Sequence, residues 1–160
     1  MPIPDFVREL RQHIGTTPLW LTGATAVVLD GDRMLLIRRS DTGEWAPITG
    51  IVDPGEEPAV AAAREAAEEA GVEIEVERLS STWVTEPVVY DNGDRAQYLD
   101  LTFRCRYVSG DPAPVDGEAL EVAWFALGAL PQMRAEFADR IRHALEPDGP
   151  AVFLREPSGR

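Results

Sequence analysis

The chain has 160 residues and a formal net charge of −13, enough length for one domain around a single hydrophobic core. A hydrophobic fraction of 44% suits a soluble, folded protein, and no run approaches the roughly 20 consecutive apolar residues of a membrane span. The acidity argues against a nucleic-acid polymer as partner, because phosphate backbones require basic surface. Solvated surface acids account for the overall charge. Where carboxylates cluster, however, a polyphosphate enters only with divalent cations between the two. All 15 basic residues are Arg. The start, Met1-Pro2-Ile3-Pro4-Asp5, lacks the basic and apolar regions of a secretory signal. Cys105 is the only cysteine, so an internal disulfide is excluded; both features fit a reducing cytoplasm.

In chain order, Phe6, Val7, Leu10 and Ile14 recur at helical spacing after Asp5, read as an N-cap. They predict a short amphipathic helix over about 5–13 that covers a core edge, a homodimer contact being the alternative. Ala24 to Leu29 reads as a buried strand, Asp30-Gly31-Asp32 as a turn, and Met34 to Ile37 as a second strand, together a hairpin. Residues 40–57 read as a Gly- and Pro-punctuated loop. A helix follows from Pro58 to Ala70, with Pro in the first turn and Gly71 as its stop. Val72 to Val76 opens further strand structure. Tyr98 to Tyr107 alternates as a long half-buried strand, and Glu121 to Phe125 forms another. A closing helix is expected near 131–145, and the tail over 147–160 is expected to be loosely held. There is no internal repeat and no domain boundary, so residues 1–160 read as a single domain with its core over about 20–145.

The helix Ala59 to Ala70 carries the chemistry. At 100° per residue, Glu65, Glu68 and Glu69 fall within about 100° of one another, on one face. Ala59, Ala63, Ala66, Ala67 and Ala70 are expected on the opposite side, as a tight packing face. Three carboxylates this close repel each other and raise their own pKa values unless a cation compensates. Hard oxygen ligands at this density suit Mg²⁺ or Mn²⁺. Taken alone, an ordinary solvated face is as good a reading, with Arg64 as an i,i+4 partner of Glu68.

The wider pattern decides between them. Gly50, five residues, Glu56, seven residues, then Arg64-Glu65-Ala66-x-Glu68-Glu69-x-Gly71-Val72 resembles the Nudix box over its 23 positions. Chance would match these fixed residue types on the order of once in ten million chains of this length. Ala66 stands where a larger aliphatic residue is usual. The resemblance implies an α+β fold, a Nudix-type α/β/α sandwich with a mixed central sheet and the box as a loop–helix–loop. It implies Mg²⁺-dependent hydrolysis of a pyrophosphate bond in a nucleoside diphosphate derivative, with Mn²⁺ as a substitute. The alternative is an inactive Nudix-fold module that binds nucleotides or regulates.

By the same resemblance, Glu68 and Glu69 match the principal metal ligands, and Glu65 a further ligand or the general base. Thr49, where many relatives have Gly, matches the residue that gives a backbone carbonyl to the metal. Arg64 is expected to pair with Glu56 and orient the acidic face, and Gly50, Gly55 and Gly71 to meet backbone requirements. Relatives often supply an additional acid from the region of Glu118 and Glu121. Arg38, Arg39 and Arg95 are candidate phosphate contacts; Trp45 and Tyr98 are candidates to stack on a base. Pro87 and Tyr90 stand at the spacings that mark ADP-ribose and dinucleoside polyphosphate hydrolases respectively, so the substrate stays open. Cys105, mid-strand with no His nearby in sequence, reads as structural.

Overall fold

The computed structural model describes residues 3–156. Its elements are α1 (Asp5–Ile14), β1 (Leu19–Asp30), β2 (Arg33–Arg39), β3 (Trp45–Ala46), β4 (Ile48–Ile51), α2 (Pro58–Ala70), β5 (Val72–Val84), β6 (Val88–Val89), β7 (Arg95–Gly110), β8 (Ala119–Ala126) and α3 (Ala135–Leu145), with one 3₁₀ turn at Leu127–Ala129. The strands form one mixed sheet of order β3-β2-β1-β7-β5, with β4 on β1, β6 on β7 and β8 on β2. β1 and β7 run parallel, Leu19 opposite Ala96 through Leu29 opposite Arg106. Every other pairing between these strands is antiparallel, including the expected β1–β2 hairpin.

β1 is central because its apolar run is covered on both faces, which is why it lacks alternation. Ala24, Ala26 and Val28 pack with Ala61, Ala62, Ala66 and Ala70 of α2. Val27 and Leu29 pack with Phe137, Ile141 and Ala144 of α3. The result is the expected α+β sandwich, a mixed sheet between helices. A third cluster joins Val7 of α1 to Leu21, Ile51 and Ala96, so α1 covers a core edge. Among the described residues, no helix is long and apolar enough to cross a membrane.

Four expectations need correction. Pro4, not Asp5, occupies the N-cap of α1; Asp5 is already helical and pairs with Arg8 one turn on. The supposed loop 40–57 contains β3 and β4, because Ile48 to Ile51 supplies the backbone partners that β1 needs on that side. The closing helix begins at Ala135 rather than 131. The tail is tied at one point: Val152 N–H donates to Ser80 O and Thr82 N–H to Val152 O, both at 2.9 Å. Residues 157–160 of that tail lie outside the described residues.

Candidate active site

The site starts from the turn between β4 and α2. Gly55 sits at φ +84°, a conformation that suits glycine. Asp53 N–H donates to Glu56 Oε2 at 3.1 Å and Glu56 N–H to Asp53 O at 3.0 Å, closing the loop on itself. Pro58 opens α2 where its missing N–H costs nothing, and Gly71 ends it in the left-handed region at φ +68°, its N–H shared between Ala66 O and Ala67 O.

The helix is rotated relative to the expected arrangement. Its buried residues are Ala61, Ala62, Glu65, Ala66, Glu69 and Ala70, whereas Ala67 is exposed and Ala63 only half-buried. Glu65 is 6% exposed and Glu69 1%. Two carboxylates therefore lie on the packing side and only Glu68 is exposed. Glutamate is rarely buried without a partner, so the positions need an explanation.

Part of it is Gly50. A Cβ there would overlap Cγ, Cδ and Oε1 of Glu65, so the missing side chain is the space in which the Glu65 carboxyl sits. The expectation that Gly50 serves a backbone conformation is thus replaced by a steric one; its φ is not positive. The other part is Arg64. Its guanidinium donates to Glu56 Oε1 at 2.8 Å and Oε2 at 3.0 Å, a bidentate pair. It also donates to Glu65 Oε1 at 2.8 Å, Glu68 Oε2 at 3.0 Å and the Ile51 carbonyl at 3.1 Å. One cation thus ties the loop, the strand end and two of the three helix carboxylates. It holds Glu56 below the ordinary carboxylate range, and its own pKa is raised, chiefly by Glu56.

Burial pushes the Glu65 carboxyl up to about 7, against the pull of Arg64 and with added repulsion from Glu68 and Glu118. Burial raises Glu69 further, reinforced by Glu65 and Glu118 and opposed by Arg39. Glu118, from the turn before β8, thus joins the cluster; a hollow of about 260 Å³ is lined by Glu65, Glu68 and Glu118 with Asp53 and Asp116. Glu121 does not join: it pairs with Arg38 at 3.4 Å across the β2–β8 ladder.

Among the described residues, no three acids already stand at metal-ligand spacing. The donor set nevertheless fits a hard divalent cation. It is all oxygen, it is crowded with like charge, and Glu69 Oε2 is buried with no hydrogen-bond partner. A consequence can be measured. The folded-state values of Glu65 and Glu69 lie above the unfolded value near 4.5, so the native state keeps protons that the unfolded chain releases. Stability from this pair is full below about pH 4.5 and is lost as pH rises through about 7 for Glu65 and higher for Glu69. Millimolar Mg²⁺ is expected to raise the melting temperature by about 5 °C at pH 8 and by less at pH 5. A shift equal at both pH values, or none, would contradict a cation bound by these carboxylates.

On the other side of Gly50 opens a cleft of about 280 Å³ beneath the start of α3. Thr49, Arg39, Trp45 and Tyr98 line it, as does Tyr90, whose hydroxyl lies 2.5 Å from that of Tyr98. Arg39 grips Asp41 at 2.9 and 2.7 Å and lies 3.4 Å from Thr49 Oγ1. It also feels the Glu69 charge, so it stands between cleft and carboxylates. Trp45 packs edge-on against Phe125. Two candidate phosphate contacts fall elsewhere. Arg38 donates to the Gly43 carbonyl, and Arg95 donates to the Thr16 carbonyl beside α1; neither lines the cleft. Cys105 is buried in β7 with its thiol pushed up to about 12 by burial, consistent with a structural residue. Asp100, Glu136 and Arg140 also line the cleft, and no sequence motif marked them.

Residues 20–146 match the NUDIX domain. The chain is 34% identical over 143 residues to a MutT-like protein of Streptomyces ambofaciens, covering 88% of this chain and 87% of that protein. It is 34% identical over 136 residues to the NAD-capped RNA hydrolase NudC of Pseudomonas aeruginosa, covering 83% of this chain but 44% of that protein; it spans less than half the length of that relative. The solved structure of a UDP-X diphosphatase superposes with a TM-score of 0.68 at 20% identity, over 94% of this chain and 74% of the other, a likeness of fold.

Proposed function

This chain belongs to the NUDIX family, and from that premise we propose that it is a pyrophosphohydrolase, cutting the pyrophosphate bond of a nucleoside diphosphate derivative with Mg²⁺, Mn²⁺ serving as a substitute. The observation that carries this reading is the seating of Glu65 against Gly50. It sets buried carboxylates on one side of a strand whose other side opens on an aromatic-lined cleft. The cleft takes the nucleotide and the carboxylates take the ion.

Glu65, Glu68 and Glu69 would hold the cation, with Glu118 adding charge and Thr49 next to Gly50 at the junction. Bound there, a divalent ion supplies neutralisation of the diphosphate and a more acidic water. The rest falls to side chains. Arg64 fixes Glu65 and Glu68 in place, so no reorganisation is needed when charge builds up. Arg39 presents a cation from the cleft side toward the phosphates. Glu65 would serve as a further ligand or, left unligated, as the base that removes a proton from the attacking water. Attack in line at phosphorus would release a nucleoside monophosphate and a phosphorylated remainder.

Among substrates, a small nucleotide such as a nucleoside triphosphate, ADP-ribose or another nucleotide sugar, or a dinucleoside polyphosphate is favoured over a capped RNA. The net charge of −13 disfavours a polymer, and the relative matched along nearly its whole length is the MutT-like protein. The test is a panel of these nucleotides with Mg²⁺, Mn²⁺ and excess EDTA, read by release of monophosphate. Metal-dependent release from at least one class is expected. Nucleotide binding without release in either metal would establish instead an inactive binding module, a reading that retention of Glu65, Glu68 and Glu69 already disfavours.

A further inference from the structure

We infer that the polar floor of the cleft, formed by Arg140, Glu136 and Asp100, is a nucleobase subsite built for an edge carrying a carbonyl oxygen beside N–H donors, which is the edge of guanine. The inference rests on the hydrolase reading only for why a nucleotide occupies the cleft.

Asp100 and Arg140 are 4% and 5% exposed, yet both line the cleft. Asp100 is firmly held: the Thr25 and Thr102 hydroxyls donate to its two oxygens, each at 2.7 Å. Arg140 is held more loosely. Its contacts to Thr25, Asp100 and Glu136 are 3.4, 3.5 and 3.4 Å, long against the roughly 2.8 Å of a charge-assisted hydrogen bond. A guanidinium has five N–H donors, so this one keeps donor capacity for a ligand. Its charge is balanced by Asp100. A buried ion pair of this kind gives little net stability over apolar packing, and stability alone therefore does not call for it.

Glu136 lies one helical turn before Arg140 and its side chain is 33% exposed. Arg134, also in the cleft lining, stands 4.0 Å from Glu136 but is held by Glu44 at 2.8 Å. With Arg134 and Glu44 paired and Arg140 and Asp100 cancelling, the floor keeps the negative charge of Glu136, which suits a neutral ring with N–H donors better than a phosphate. Phosphates are left to Arg39 and the carboxylate side, so the cleft has a polarity. Tyr98 and Phe137 offer apolar wall for a ring. Guanine satisfies all of this: O6 accepts from Arg140 while N1–H and N2–H donate to Glu136. Adenine offers one donor and one acceptor, one hydrogen bond fewer.

The test is calorimetric titration of the full chain with GMP, AMP, CMP and UMP in millimolar Mg²⁺, which needs no turnover. GMP is expected to bind about tenfold more tightly than AMP, a margin of one hydrogen bond. Glu136→Gln, which keeps one acceptor oxygen but loses the paired carboxylate, is expected to cut that ratio to about twofold, with GMP affinity falling more than AMP affinity. Equal binding of the four monophosphates by the native chain would overturn the inference. So would a Glu136→Gln chain that keeps the GMP preference or weakens all four alike. A chain that prefers GMP but cleaves no nucleotide would sink the hydrolase reading and leave the subsite standing; one that cleaves nucleotides yet binds all four alike would do the reverse.

Discussion

Glu69→Gln is expected to lower kcat by roughly 100-fold or more while the metal-free melting temperature holds level or rises. The two effects separate because they have different origins. Glu69 is 1% exposed, with Glu65 and Glu118 close by and one oxygen lacking a hydrogen-bond partner. Without a cation, ionising this group costs stability, and the isosteric amide removes that cost. With a cation, the same group is an anionic oxygen donor that an amide replaces poorly. A carboxylate kept merely for packing would tolerate the change, with activity within a few-fold. Turnover near that of the native chain would remove Glu69 from the ion site. Loss of both activity and metal-free stability would mark it as a structural group.

Gly50→Ala is expected to be almost as severe, although it adds one methyl group to a strand that accepts alanine readily. The new carbon would overlap the Glu65 side chain, which cannot swing away freely because Arg64 holds it at 2.8 Å. Overpacking of this kind costs about 1–3 kcal/mol, and displacing a reacting group by about 1 Å costs on the order of 100-fold in rate. The double variant Gly50→Ala/Glu65→Ala makes the argument specific. If the clash is with Glu65, the stability loss from Gly50→Ala should nearly vanish once that side chain is gone, a coupling of about 1 kcal/mol or more in a thermal or urea cycle. An additive pair would place the strain elsewhere.

The box was legible because it is local. Gly50, Glu56, Arg64, Glu65, Glu68, Glu69 and Gly71 stand at spacings that a loop and a helix make meaningful without knowledge of the rest of the chain. The limits of α2 at Pro58 and Ala70 follow from the residues themselves. The orientation of that helix was not legible. Alanines at 59, 61, 62, 63, 66, 67 and 70 surround the wheel, so the apolar pattern carries little direction, and glutamate is ordinarily assigned to solvent. What leaves room for Glu65 to turn inward is the absent side chain of Gly50, on a strand inside what reads as a loop.

Sequence by itself therefore determined the family, the ends of α2 and the identity of the clustered acids, since each depends on neighbours within about 20 residues; the α+β sandwich followed only as what the family resemblance implies. Tertiary structure alone decided which acids are buried, that Glu118 joins them while Glu121 pairs with Arg38, and that Arg39 faces the cleft while Arg38 and Arg95 do not. It also decided that Arg140 of α3 meets Asp100 of β7, 40 positions away in the chain. The reason is physical: a pattern of residue types records what a segment can become, whereas the environment of a charged side chain is set by whatever the fold packs against it from elsewhere.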